Sequence, residues 1–301
     1  MGNRTSRNFV LTYSLLVLAW SSAFPAVKIG LSYSPPLFFA GLRTLLGGLF
    51  LLLPAFVLNG AVRPKKMLPH WLWTTLFFSF LFFGCQTFSV YYLPSGLTAV
   101  LIYLQPILVG WLSRYWLGEP LTWNKTVGLL LGFLGVLVVG WEGVGGSLSL
   151  AGILFGLAAA VGWGVGTVYV KRVQQQVPLL WLLGGQFVIG GCVLLLISAI
   201  FENWSEVSWN LPFWLSMLYT SLVCISITWV LYFVMIEQGE TSRVAANMFL
   251  VPLVSVLMGV VFLQESVSYY LLVGGGFIVA GIFLVNRTFR SVKEKKTFFT
   301  G

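Results

Sequence analysis

Apolar residues in this chain neither alternate with polar ones nor return once per helical turn; they run on, stretch after stretch. Each stretch is about 20 residues long, the length a helix needs to cross the hydrocarbon of a bilayer. Short links separate them, marked by turn-formers such as Ser34-Pro35-Pro36, Gly60 and Gly145-Gly146-Ser147. Strands of a membrane barrel would instead alternate apolar and polar positions over shorter segments. Lipid offers the backbone no hydrogen-bonding partner, so continuous apolar runs must close their bonds internally as helices. The pattern predicts an all-α membrane protein with ten spans, near 9–29, 36–58, 70–91, 97–116, 124–140, 148–169, 178–201, 211–235, 244–263 and 269–286.

Composition agrees. Hydrophobic residues fill 58% of the 301 positions and charged residues only 8%, against roughly 25% charged in a soluble domain. The net charge of +9 would suit a nucleic-acid binder, but its placement suits a bilayer. With the N-terminus inside, 15 of the 17 lysines and arginines fall in inner links and tails, leaving Lys28 outside and Arg43 within a span. That bias is the positive-inside signature. It predicts a multi-pass protein of the cell membrane with both termini cytoplasmic, residues 1–8 and the basic 287–301 being tails. Ser21-Ser22-Ala23 loosely mimics a signal-peptide cleavage site, but the segment beyond it belongs to a repeat. Cys85, Cys192 and Cys224 lie in separate spans, too dispersed for a metal site or a disulfide framework, and no cofactor is expected.

The chain is written twice. Pro106 leads thirteen residues on to Glu119, and Pro252 thirteen residues on to Glu265. At the same offset of 146, Ala99, Leu104, Gly128 and Gly135 match Ala245, Leu250, Gly274 and Gly281. At an offset of 143, Trp20, Lys28, Pro35, Gly41, Gly47 and Gly48 match Trp163, Lys171, Pro178, Gly184, Gly190 and Gly191. Residues 9–143 and 144–286 are thus expected to be two five-helix units. Five is odd, so the second unit enters the membrane from the opposite side. Inverted repeats of this kind surround a midplane substrate site in many secondary transporters, which predicts a central cavity.

At this point the residues carry a family resemblance. "AWSSAFPAVKIG", "AGLRTLLGGLFLLL", "QPILVGWLSRYWLGEPLTWNKTVGLLLGFLGVLVV" and "VPLVSVLMGVVFLQESVSYYLLVGGGFIVAGIFLV" resemble the EamA-type members of the drug/metabolite transporter superfamily. The second repeat departs from the motif, with Gln264-Glu265-Ser266 where the first has Gly118-Glu119-Pro120. The resemblance implies ten helices around a central cavity and export of small metabolites, often amino acids.

Several residues invite a role, each with a plainer alternative. Polar and aromatic residues within spans are the cavity candidates: Trp20, Ser22, Gln86, Tyr103, Gln105, Trp163, Thr228, Trp229 and Asn247. A pocket needs that mix of apolar walls and a few polar groups, while packing or an interfacial belt is the other use of Trp and Tyr. Arg43 would cost ~2.5–3.5 kcal/mol facing lipid, so it meets protein or water; it binds a substrate carboxylate, bonds carbonyls or snorkels. Its repeat counterpart is Gln186. Pro25, Pro106 and Pro252 interrupt helical hydrogen bonding and are hinge candidates. Glu119 and Glu265 stand at helix ends, where a carboxylate caps an N-terminus or pairs with a cation. Capping would tie the fifth helix of each repeat to the fourth; gating or proton carriage is the other reading. Lys28 is a snorkelling lysine or an attractor of anionic groups. Glycines in spans 2, 5, 7 and 10 allow close helix contact.

Absences narrow the function. There is no GxxxxGK[ST] loop, so no ATPase partner is expected, and no aspartate at all. No carboxylate lies mid-membrane to relay protons. These absences point to a facilitator or exchanger, and the resemblance implies that it exports small amphipathic metabolites, amino acids first among them and aromatic ones included, as a monomer or homodimer. A proton-coupled exporter, or an importer of vitamins, nucleosides or drugs, is the alternative; a membrane scaffold is one of another class. An intramembrane enzyme would need a buried nucleophile with its base, and the sequence supplies none.

Overall fold

The computed structural model describes residues 2–93, 95–141, 149–263 and 269–297. Glu265 and the expected repeat boundary at 143/144 lie outside the described residues. In chain order the helices are α1 (Gly2–Leu31), α2 (Pro36–Asn59), α3 (Pro64–Tyr92), α4 (Ser95–Ile102), α5 (Gln105–Trp116), α6 (Trp123–Trp141), α7 (Leu150–Val173), α8 (Leu179–Phe201), α9 (Leu211–Gln238), α10 (Thr241–Asn247), α11 (Leu250–Leu263) and α12 (Tyr269–Thr297). Among the described residues there is no strand.

Among the described residues seven helical segments are long and apolar enough to cross a membrane: α1, α2, α3, the α4–α5 segment, α7, α8 and α9. The fifth and tenth expected spans appear as the shorter apolar helices Trp123–Val139 and Leu272–Arg287, inside α6 and α12. The ninth is divided into α10 and α11.

The helices are interrupted where the sequence puts proline or demands a wide turn. Pro106 is the second residue of α5, and Pro252 the third of α11, so each opens the second half of a broken span instead of kinking a continuous one. Proline has no N–H for the carbonyl four residues back and its ring collides with that carbonyl. The chain crosses the gaps with tighter bonds, Leu104 N–H to Leu101 O at 3.3 Å and Phe249 N–H to Ala246 O at 3.1 Å. Pro25 differs, because α1 runs through it unbroken. The carbonyl it frees belongs to Ser21, and the Ser255 hydroxyl of α11 donates to that oxygen at 3.1 Å. A neighbouring hydroxyl supplying the missing bond is how proline is tolerated in lipid. Matching π-helical stretches, Thr75–Gly84 in α3 and Tyr219–Ile227 in α9, give the third helix of each half a widened turn. Such turns concentrate at functional sites.

Glycine sets the tightest packing. The most extensive pairings are α2 along α8 and α6 along α12. A Cβ on Gly128 would stand 2.7 Å from the Gly281 carbonyl oxygen, and one on Gly135 2.6 Å from that of Gly274. These contacts exchange under the repeat correspondence, since Gly128 matches Gly274 and Gly135 matches Gly281. Gly48 against Gly184 and Gly41 against Gly191 exchange likewise, at 2.8 and 3.2 Å. In lipid no hydrophobic force draws helices together, so small residues that bring backbones into contact supply the attraction.

Candidate functional site

The widened turns and the α4–α5 break converge with α1, α2 and α7 on a cavity of about 30 Å³. Its walls are Trp20, Ala23 and Phe24 of α1, Arg43 of α2, and Phe82, Phe83 and Gln86 of α3. Ile102 and Tyr103 at the break, Trp163 of α7, and Cys224, Ile225 and Trp229 of α9 complete it. Both halves of the chain contribute. The repeat counterparts Trp20 and Trp163 meet edge to face, ring centroids 5.1 Å apart at 87°, and Trp229 stands 6.3 and 6.5 Å from them. Edge-to-face contact suits the aromatic quadrupole. The Trp20 indole N–H donates to Thr228 Oγ1 at 2.8 Å, which fixes that ring. Phe82 and Phe83 close the cage at 5.1 Å from Trp163 and 5.2 Å from Trp229.

Arg43 does not snorkel. It is 2% exposed, and its Nη2 donates to Gln86 Oε1 at 3.2 Å and Thr87 Oγ1 at 3.0 Å. Its guanidinium lies 5.1 Å from the Phe83 ring centroid and 5.8 Å from that of Phe39. Among the described residues Nε finds no acceptor, and neither does the Trp163 indole nitrogen. Gln186, the counterpart of Arg43, receives a bond from Ser79 at 3.2 Å and does not line the cavity.

Four of the sequence candidates stand outside the walls. Ser22 pairs with the Tyr219 hydroxyl, and Gln105 lies behind the cage, 3.5 Å from the Tyr232 hydroxyl. Thr228 serves as the acceptor for Trp20. Asn247 turns away toward α12, where its Oδ1 accepts from Asn286 at 2.9 Å, while its backbone oxygen accepts from Tyr13. Sequence reasoning missed Phe82, Phe83 and Cys224, which reach the cavity through the π-helical turns, and Thr87, which holds Arg43.

A second polar cluster lies beyond the cage at one end of the bundle. Gly118, at φ +69°, adopts the left-handed conformation just past the end of α5 and immediately before Glu119. The Glu119 carboxylate accepts from the backbone N–H groups of Thr241 at 2.8 Å and Ser242 at 3.2 Å, and from the Ser242 hydroxyl at 3.3 Å. It therefore caps α10, a helix of the other half, rather than the next helix α6. Lys171 donates to the carbonyls of Ile236, Glu237 and Gly239, closing the C-terminal end of α9. Lys125 adds an ion pair to Glu240 at 2.9 Å. The α9–α10 turn is thus held from three sides. Lys28, the counterpart of Lys171, makes the corresponding bond to Val90 O in α3 at 2.9 Å. Glu202, overlooked in the sequence, caps α2 through Leu37 and Phe38 N–H at 2.7 and 2.8 Å.

Comparison with known proteins places this arrangement. The model of the EamA-like transporter family matches the chain twice, over residues 8–141 and 150–287. An "Uncharacterized transporter YvbV" of Bacillus subtilis is 40% identical over 94% of this chain and 93% of its own length. A "Probable amino-acid metabolite efflux pump" of Salmonella typhimurium is 29% identical, covering 90% of this chain and 92% of its own. One solved crystal structure, 22% identical, superposes with a TM-score of 0.79 over 95% of this chain and 99% of that one, a shared fold. With two matches to one family model spanning nearly its whole length, the chain belongs to the EamA-like transporter family, a multi-pass membrane transporter and not an enzyme.

Proposed function

We propose that the chain exports small amphipathic metabolites, amino acids and especially aromatic ones first among them, by alternating access as a facilitator or exchanger. The observation that carries this reading is the cage itself: aromatic walls from both halves around one cation and one amide. Pockets that bind a small metabolite measure ~300–1,000 Å³, whereas this cage encloses about 30 Å³. Cargo must therefore enter a different arrangement of the same helices.

The moving parts follow from the fold. The exchanging glycine contacts support two units related by a two-fold axis, and the odd helix number of a five-helix unit makes them inverted. Ten spans result when α6, α12 and the broken α10–α11 segment are counted with the seven longer ones. On the positive-inside argument the membrane is the cell membrane and both termini are cytoplasmic, so the cluster of Glu119 and Lys171 closes the inner face. Pro106 and Pro252 are the hinges on which α5 and α11 swing. No carboxylate among the described residues lines the cavity, which favours a substrate-driven exchanger over a proton-coupled one.

Flux in proteoliposomes with a panel of amino acids tests the reading. Saturable counterflow that is indifferent to an imposed pH gradient is the expected result. Flux that appears only with the gradient refutes the exchanger, and folded protein that moves none of the panel refutes amino acids as cargo.

A further inference from the structure

Among the described residues, Arg43 is the one charged side chain that lines the cavity, and none of them supplies it a counter-ion. No acidic residue among those described lines the wall, and Glu240 is engaged by Lys125 and Arg243 instead. Gln86 and Thr87 offer Arg43 neutral oxygens, and among the described residues Nε meets no acceptor at all. Trp163, also 2% exposed, presents a second donor without an acceptor to the same small cavity. A buried charge is ordinarily paired and a buried N–H ordinarily bonded. Two unsatisfied donors on residues that line one cavity call for a single kind of guest, an oxygen acceptor bearing negative charge.

We propose that Arg43 and Trp163 form an anion subsite that takes the carboxylate of the cargo, with the faces of Trp20 and Trp229 receiving its planar apolar part. The proposal rests on the transport reading and sharpens it. Arg43 supplies charge and a planar fork suited to a carboxylate, and Trp163 supplies one further N–H. Among the described residues the cavity offers no carboxylate to pair with an α-ammonium group. An aromatic monocarboxylate leaves the occupied site neutral, whereas a zwitterion adds a positive charge beside Arg43. The carboxylate is thus required and the amino group contributes no affinity.

Intrinsic tryptophan fluorescence of the purified full-length protein reads binding directly, since three indoles wall the cavity. The probes are 3-phenylpropionate, 3-phenylpropionamide, phenylalanine and phenethylamine, each titrated in detergent and in nanodiscs. The acid should perturb emission saturably, the amide should bind about tenfold more weakly or worse, and phenylalanine should bind no more tightly than the acid. Arg43→Gln should abolish the preference for acid over amide, Arg43→Lys should keep part of it, and Trp163→Phe should weaken the acid while sparing the amide. Equal affinity for acid and amide overturns the subsite. So does phenylalanine binding about tenfold tighter than the acid, which would assign the indole faces to the ammonium by cation–π attraction. Failure of all four probes to bind folded protein overturns it as well. The ligand series on the unmodified chain stands even where an Arg43 variant does not fold. Binding selectivity without flux would sink the transport reading and leave the subsite; flux without selectivity would do the reverse.

Discussion

Glu119 offers the most direct test of how the cavity opens. Its carboxylate accepts two backbone N–H groups and a hydroxyl at the start of α10, from the end of α5 in the other half. Replacing it with alanine removes a charged cap, a change worth ~0.5–2 kcal/mol. If transport proceeds by alternating access, water reaching α10 after opening would satisfy the same N–H groups, so the cap would stabilise the closed arrangement rather than the open one. Taking ~1.4 kcal/mol as a central figure, the open population should rise about tenfold. Cys224 reports that population, because its buried thiol lines the cavity. In a background with Cys85→Ala and Cys192→Ala, a membrane-impermeant thiol reagent applied to the inner face of oriented vesicles should modify Cys224 about tenfold faster in Glu119→Ala. Glu119→Gln, which keeps an acceptor but not the charge, should fall between. An unchanged rate in folded protein would refute the latch, and an equal rise from both faces would mean that the cap merely stabilises the fold.

Two further predictions concern how the helices are held. Ser255→Ala should lower the melting temperature by leaving the Ser21 carbonyl unpaired beside Pro25, at ~1–3 kcal/mol for a buried group; adding Pro25→Ala restores the helical N–H, so in that background the serine should matter little. An unchanged penalty would show that Ser255 acts elsewhere. Gly135→Ala should force α6 from α12, since the new Cβ would stand 2.6 Å from the Gly274 oxygen, an overpacking cost of ~1–3 kcal/mol. A thermal melt matching the parent would show that the helices part freely there.

Membership of the membrane, the helical class and the doubling of the chain were legible in the residues, because lipid makes the backbone rule absolute and a repeat needs no coordinates to be seen. Which face of each helix turns inward was not legible. In water an apolar stripe marks the core, but a helix in lipid is apolar on both sides, so Trp20 and Trp163 look in sequence much like Trp73, which is 52% exposed. Polarity guided the choice only in part. Arg43 and Gln86 do line the cavity, while Asn247, equally costly in lipid, found its partner in Asn286 on α12. Prolines marked the interrupted spans, yet only the packing showed that Pro106 opens a new helix while Pro25 rides through one with Ser255 supplying a bond. The motif at Gly118-Glu119 announced a helix end, and the glycine's left-handed backbone accounts for its place there. That the carboxylate reaches across to α10 could not be read from the chain, because a cap finds its donors in space and these lie 122 and 123 residues away. The residues alone specify a twice-written bundle of membrane helices; packing selects which few polar groups meet at its centre and which tie its halves together at one end, since both depend on contacts between halves that hydropathy does not encode.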